Sequence, residues 1–225
     1  AIDLGYIDNT ESGQAAKIFK PVDLTRYNLK KQKLDLKAYF LKTLEDFQPD
    51  CVAFTVLSDE FLIASQLSNI AKKAYPEIAI IWGGKYPTLN PPKALQMHCA
   101  DFVCIGEGLD AFGDFLKMFP ERNSLYKIPN IWAKKNGEII KNNIRPLRGN
   151  LDDLPFVDWD IFDARQFVKP FNGKAYVGGD HMLNWGCPYH CTYCINHYYH
   201  QLYNNKYFLR RYSVERIIKE LQYLK

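Results

Sequence analysis

The 225-residue sequence predicts a doubly wound α/β domain built on a parallel sheet. Short apolar, β-branched runs recur at residues 51–57, 78–82 and 101–105. Each gives way to a turn carrying Ser58, Gly83-Gly84 or Gly106-Glu107-Gly108. Each turn opens into a segment whose apolar residues repeat at helical spacing. Strand, turn and helix therefore alternate three times, and right-handed crossovers place the three turns at one edge, the carboxyl ends of the strands.

In chain order, residues 1–4 read as a short strand ending at Gly5, followed by a long polar excursion with Pro21 and a solvated basic cluster of Lys30, Lys31 and Lys33. Leu36, Phe40, Leu44 and Phe47 then recur at helical spacing behind Asp35, a suitable cap, and that helix closes before Pro49. The run 51–57 reads as a strand buried on both faces. Ser58 is expected to cap the next helix, with Asp59 and Glu60 in its first turn and Ile63, Leu67, Ile70, Ala71 and Ala74 as its inward stripe. After the second strand, Pro91 and Pro92 suit the first turn of a short helix running to Met97. After the third, Phe112, Phe115, Leu116 and Phe119 face one way on a helix.

Beyond Pro120 the texture changes. Residues 129–133 and 138–140 flank Asn136-Gly137, the signal of a type I′ hairpin turn. Residues 142–163 are turn-rich, with Pro146, Pro155 and four acids, Asp152, Asp153, Asp158 and Asp160. The acids suit either a metal site or a solvated linker, and the linker is the simpler reading. Residues 176–179 and 181–185 read as strand segments. Ser213 caps a last helix striped by Val214, Ile217, Ile218, Leu221 and Leu224.

Composition excludes several classes. With 47% apolar and 24% charged residues the balance is that of a globular protein, and a formal charge of +4 is too small to argue for nucleic acid. No stretch reaches the roughly 18 apolar residues of a membrane helix, and no signal peptide is visible. The reading is a cytoplasmic protein with reduced thiols.

Three of the six cysteines fall within eight residues: Cys187, Cys191 and Cys194, spaced C-x3-C-x2-C. A [4Fe–4S] cluster normally takes four cysteine thiolates, so three on one loop leave one iron open to an exogenous ligand. Zinc is the rival, but it prefers two ligand pairs on separate elements; His197 and His200 follow too tightly for that frame, although His190 could join. Cys51, Cys99 and Cys104 sit in or beside apolar runs and read as small buried hydrophobes. Tyr198, Tyr199, Tyr203, Tyr207, Phe208 and Tyr212 lie among Lys206, Arg210 and Arg211; base stacking is one use, packing around a shielded cluster a cheaper one.

The cysteine loop, with Tyr193 before its third cysteine, closely resembles that of the radical S-adenosylmethionine (SAM) enzymes. Residues 49–55, residues 80–84 with Pro87-Thr88, and residues 101–108 resemble the Rossmann-like cobalamin-binding domain that precedes the radical SAM domain in one branch of that family. The "DLP-P-D" stretch of those enzymes is matched at residues 152–158, with Val157 in place of the second proline. The resemblance implies a cobalamin-binding α/β domain over residues 1–120 lacking its first strand, a hairpin and interdomain linker over 121–175, and the first unit of a truncated (β/α)6 partial barrel over 176–225.

It also implies that Cys187, Cys191 and Cys194 ligate a [4Fe–4S] cluster, that the backbone near Tyr193 contacts SAM, and that Thr55, Leu57, Gly83, Gly84, Gly106, Glu107 and Gly108 line cobalamin. His98, at a helix end, is not expected to be a cobalt ligand. The activity implied is reductive SAM cleavage to a 5′-deoxyadenosyl radical, for methylation, cyclisation or rearrangement at an unactivated carbon. Its partners would be a small-molecule or lipid-like substrate and an electron donor such as flavodoxin or ferredoxin. The fragment alone is expected to be inactive. Two rivals remain: a radical SAM enzyme whose cobalamin domain serves only substrate recognition, and a non-enzymatic cobalamin-binding sensor.

Overall fold

The computed structural model describes residues 35–96, 100–163, 167–171, 174–179, 181–204, 206 and 209–224. The strand expected at residues 1–4, the basic cluster at Lys30, Lys31 and Lys33, and Met97, His98, Cys99, Tyr207 and Phe208 lie outside the described residues. The described residues form two compact units, one within residues 36–149 and 186–209, the other within residues 150–185 and 210–224.

The first unit holds helix α1 (Leu36–Phe47), strand β1 (Cys51–Thr55), α2 (Phe61–Ala74), β2 (Ala79–Gly83), α3 (Lys85–Leu89), α4 (Pro91–Gln96), β3 (Phe102–Cys104), α5 (Leu109–Met118), β4 (Ile131–Lys135) and β5 (Glu138–Ile140). The five strands form one sheet in the order β1-β2-β3-β4-β5. The pairs β1–β2 and β2–β3 are parallel, while β4 and β5 add antiparallel. The hairpin thus extends the sheet. Its turn matches the sequence signal, with Asn136 at φ 52° and Gly137 at φ 84°.

Period-2 geometry sends alternate residues of the central strands to opposite faces. Ile80, Trp82, Val103 and Ile105 join Phe40, Leu44, Leu67, Ala71 and Leu95 in one core. Ala79, Ile81, Phe102 and Cys104 join Ala111, Phe115, Leu125 and Ile128 in the other. Each fully buried large side chain among them contributes about 1.5–3 kcal/mol relative to exposure. The doubly wound expectation holds: helices cover both faces of a sheet that is parallel at its centre.

Four local expectations are corrected. β1 is not buried on both faces: Ala53 and Thr55 are exposed. Among the described residues β1 pairs only with β2, and of its residues only Cys51 packs against the core on the α5 side. Ser58 does not cap α2. Residues 57–60 form a turn in which Glu60 accepts a hydrogen bond from the Leu57 amide, and the helix begins at Phe61. On α2 itself, Ala74 is exposed while Ala64 and Ser68 are buried. Ser68 lies inside because its hydroxyl accepts from the indole N–H of buried Trp82 at 3.0 Å, satisfying both polar groups. Finally, Phe47 and Leu116 project into solvent, so the stripes of α1 and α5 are narrower than their periodicity suggested.

Asn130 is fully buried, with a left-handed backbone at φ 69°. Its side chain donates to the Ile105 carbonyl at 2.7 Å and accepts from the Arg145 amide at 2.9 Å. Asn130→Ala is expected to cost about 1–3 kcal/mol by stranding those groups, read as a lower midpoint in urea unfolding; an unchanged midpoint would contradict this role.

The second unit carries β6 (Val168–Phe171) paired with β7 (Lys174–Val177), β8 (Asn184–Trp185) paired with β9 (Arg210–Arg211), and α7 (Val214–Tyr223). Ser213 caps α7 as expected, accepting from the Arg216 amide. Arg216, one-tenth exposed, donates to the carbonyls of Asp152, Leu154 and Pro155 and pairs with Glu220, which also meets His181 at 3.1 Å. The Ser213 side chain and then its amide, which donates to the Asp152 carboxylate at 2.9 Å, lower the Asp152 pKa. Residues 152–155 are therefore fastened to α7 by one arginine fork.

Candidate functional site

The parallel strands deliver three turns to one edge. The Val56 amide donates to the Gly83 carbonyl at 2.8 Å, and the Tyr86 amide donates to the Val56 carbonyl at 3.0 Å. The Thr88 hydroxyl donates to the Gly84 carbonyl at 2.8 Å and accepts from the Gly106 amide at 3.1 Å. Thr55, Leu57, Gly83, Gly84, Gly106, Glu107 and Gly108 are thus brought to a common rim, with Thr55 exposed and the others half-buried.

The glycines have reasons internal to the protein. Gly84 adopts φ 96° and ψ −164°, a region open essentially to glycine alone. A Cβ there would lie 3.0 Å from both the nitrogen and the oxygen of Val56. Gly106, at φ 77°, leaves room for the Tyr203 hydroxyl, which a Cβ would strike. The close approach foreseen for a flat ligand is made here by the backbone of Val56 and the phenol of Tyr203.

Tyr203 ends α6 (Ile195–Leu202), the helix that starts directly after the cysteine loop. Cys194 is its N-cap residue, with an extended backbone, and the Cys194 amide donates to the Cys191 carbonyl at 3.0 Å. Gly186, at φ 87°, turns the chain into the loop. His200, one turn before the helix end and 4% exposed, sits 2.9 Å through Nε2 from the Cys187 carbonyl. The first and third cysteines are thereby tied to one helix.

The three thiols carry no disulfide; Cys187 and Cys194 are half-buried and Cys191 is exposed. Among the described residues no three His, Cys, Asp or Glu side chains converge on a metal position. The donor set nevertheless fits an iron–sulfur cluster: three thiols on one loop, beside the N-terminal amides of a helix whose dipole favours an anionic group. The zinc alternative loses support, because His200 faces the Cys187 carbonyl, His190 stacks on His200 at 3.9 Å and His197 bonds Gln201. The Tyr193 ring is 92% exposed.

Cys104 is buried as the sequence suggests, and Cys51 is half-buried. Burial pushes the Cys51 thiol up to about 11 and the Cys104 thiol up to about 12, so neither offers a thiolate at neutral pH. Two members of the aromatic run take another role: Tyr199 and Tyr203 pack on the glycine rim, with Tyr199 hydrogen-bonded to Thr88 and Tyr203 accepting from the Glu107 amide at 2.8 Å. Thr88, His200 and the rim role of Tyr203 were not foreseen. The Tyr199/Tyr203 spacing of four on a helix that follows the third cysteine was the available signal. The acids at 152–160 act as caps and turn acceptors, with Asp158 capping the short turn Trp159–Ile161 and Asp153 accepting from Asn150.

Comparison with known proteins bears on both halves of the site. Residues 21–116 match the B12 binding domain family. The chain is 28% identical over 184 residues to an uncharacterized methyltransferase of Pyrococcus horikoshii, covering 81% of this chain and 38% of that protein. It is 26% identical over 137 residues to the anaerobic magnesium-protoporphyrin IX monomethyl ester cyclase of Synechocystis, covering 59% of this chain and 26% of that protein. The chain therefore spans well under half of the curated relatives it matches. Among solved structures, the fold resembles the cobalamin-dependent S-adenosylmethionine radical enzyme OxsB, with TM-score 0.62, 21% identity, and coverage of 88% of this chain and 27% of that one. It also resembles the radical S-adenosylmethionine methyltransferase TsrM of Kitasatospora setae, with TM-score 0.59, 13% identity, and coverage of 89% and 38%.

Proposed function

We propose that this chain, whose residues 21–116 match the B12 binding domain family, forms the cobalamin-facing and cluster-bearing part of a cobalamin-dependent radical SAM enzyme. The observation that carries the reading is the C-x3-C-x2-C loop, held by α6 in the same compact unit as the glycine-edged sheet. Cys187, Cys191 and Cys194 would hold three irons of a [4Fe–4S] cluster, and the backbone beside exposed Tyr193 would meet the SAM adenine. Thr55, Leu57, Gly83, Gly84, Gly106, Glu107 and Gly108 would line the cobalamin. When bound, these groups supply one-electron cleavage of SAM to a 5′-deoxyadenosyl radical and a methyl donor for a carbon radical. The chain's own contribution is to fix the loop backbone through His200 and to hold the rim closed through Thr88 and Tyr203. Methylation is the reaction proposed, with cyclisation or rearrangement as the variant suggested by the cyclase relative. The domain division proposed is a cobalamin domain to residue 120, a hairpin and linker to 175, and the start of the radical SAM domain thereafter.

The test is anaerobic reconstitution of the full-length protein with iron, sulfide and hydroxocobalamin, followed by reduction in the presence of SAM. About four irons per chain, a corrin absorbance that survives gel filtration, and 5′-deoxyadenosine are expected. An intact cluster that releases no 5′-deoxyadenosine would end the enzyme reading. Deoxyadenosine without retained corrin would favour the second reading, a domain kept only for substrate recognition, which the Tyr203 phenol at Gly106 also suits.

A further inference from the structure

The glycine rim and the cysteine loop are joined by one short helix, and its C-terminal tyrosine is the joint. Tyr203 is 7% exposed, and its hydroxyl accepts from the Glu107 amide at 2.8 Å in the space that Gly106 leaves open. Leu202 packs against the core cluster under α1 and α2. One turn earlier, Tyr199 is hydrogen-bonded to Thr88, whose hydroxyl already ties Gly84 to Gly106. At the other end of the same eight-residue helix Cys194 is the N-cap residue, and from its last turn His200 meets the Cys187 carbonyl. Both ends of the cysteine loop thus take their position from a helix that is seated on the α/β sheet. A helix this short does not persist in water by itself, so the seat decides where it stands.

We infer that Tyr203 is a positioning residue that sets the cysteine loop against the Gly106-Glu107-Gly108 turn, so that the corrinoid-side rim and the cluster-side loop move as one body. The hydroxyl does the aligning, and the ring does the packing. Burial holds the phenol protonated, its pKa pushed up to about 12, so the contact is constant across physiological pH. The importance of the loop rests on the cluster reading above, but the seat does not, and the experiment separates the two.

Wild-type, Tyr203→Phe and Tyr203→Ala full-length proteins are compared first without cofactors, by amide hydrogen exchange and by the rate at which Cys187, Cys191 and Cys194 react with iodoacetamide. Tyr203→Phe is expected to speed exchange at the Glu107 amide about threefold to tenfold, the range of one net hydrogen bond, while β2 and β3 keep wild-type protection. Tyr203→Ala is expected to extend the change through residues 187–203 and to raise alkylation of Cys187 and Cys194. After reconstitution, Tyr203→Phe should keep wild-type iron but show a broadened electron paramagnetic resonance spectrum of the reduced cluster with SAM, and wild type a narrow one. Unchanged exchange and alkylation in both variants would overturn the inference, as would a rise spread evenly over β2 and β3. If wild type takes up no iron while the exchange pattern is as expected, the seat stands and the cluster reading falls.

Discussion

Cys191→Ala is expected to lower bound iron after anaerobic reconstitution from about four per chain to well below one, and to take 5′-deoxyadenosine formation below detection. Three thiolates already leave one iron without a protein ligand. Removing another leaves two irons bare, and the cluster is held by Cys187 and Cys194 alone. Cys191 is the sharpest position to test because it is exposed, so its loss creates no cavity in a packed core. Cys51→Ala serves as the control: its thiol is held protonated by burial, and its removal should leave iron content unchanged. Wild-type iron in Cys191→Ala, or an equal loss in Cys51→Ala, would refute the assignment of ligands.

The second large effect is on folding. Gly84→Ala is expected to destabilise the protein by about 2–5 kcal/mol, combining the penalty for a glycine-only backbone with that of overpacking. The added methyl would meet the nitrogen and oxygen of Val56 at 3.0 Å. Those atoms cannot retreat without breaking the bonds that Val56 makes to Gly83 and Tyr86. Thermal unfolding of the variant beside wild type measures this, and a change below 1 kcal/mol would show that the β2 turn relaxes more freely than its geometry implies. By contrast Gly113, where an added Cβ would meet nothing, should tolerate alanine.

Much of the sheet was legible because its rules are local. Residues 78–82 and 102–105 are continuous apolar runs, and central strands of a parallel sheet must read that way when both faces are covered. Asn136-Gly137 announced its turn because few other pairs accept two positive φ angles. β1 misled for the same reason: its run of Val52, Ala53 and Phe54 looks like a strand buried on both faces, whereas the exposure of Ala53 and Thr55 depends on what packs beside them. Ser58 misled because a capping residue is defined by the backbone around it. Two residues on, the Glu60 carboxylate accepts from the Leu57 amide instead, and the helix starts two residues later than a Ser58 cap would place it. Ser68 was passed over as a polar break in a stripe, since its partner, the Trp82 indole, is fourteen residues away and on another element.

The site divides along the same line. Thiol spacing on a single loop is a property of the chain, so Cys187, Cys191 and Cys194 could be singled out before any folding was considered, and so could the glycines closing two successive strands. Whether those glycines face a ligand or the protein itself depends on what lies above them in space. Only the tertiary structure brings Tyr203 over Gly106, ninety-six residues after Glu107, and ties His200 to the Cys187 carbonyl. Sequence determines the donors and the turns because their chemistry and backbone angles are intrinsic. The fold decides their arrangement, because a buried hydroxyl or imidazole takes its partner from whichever element packs beside it.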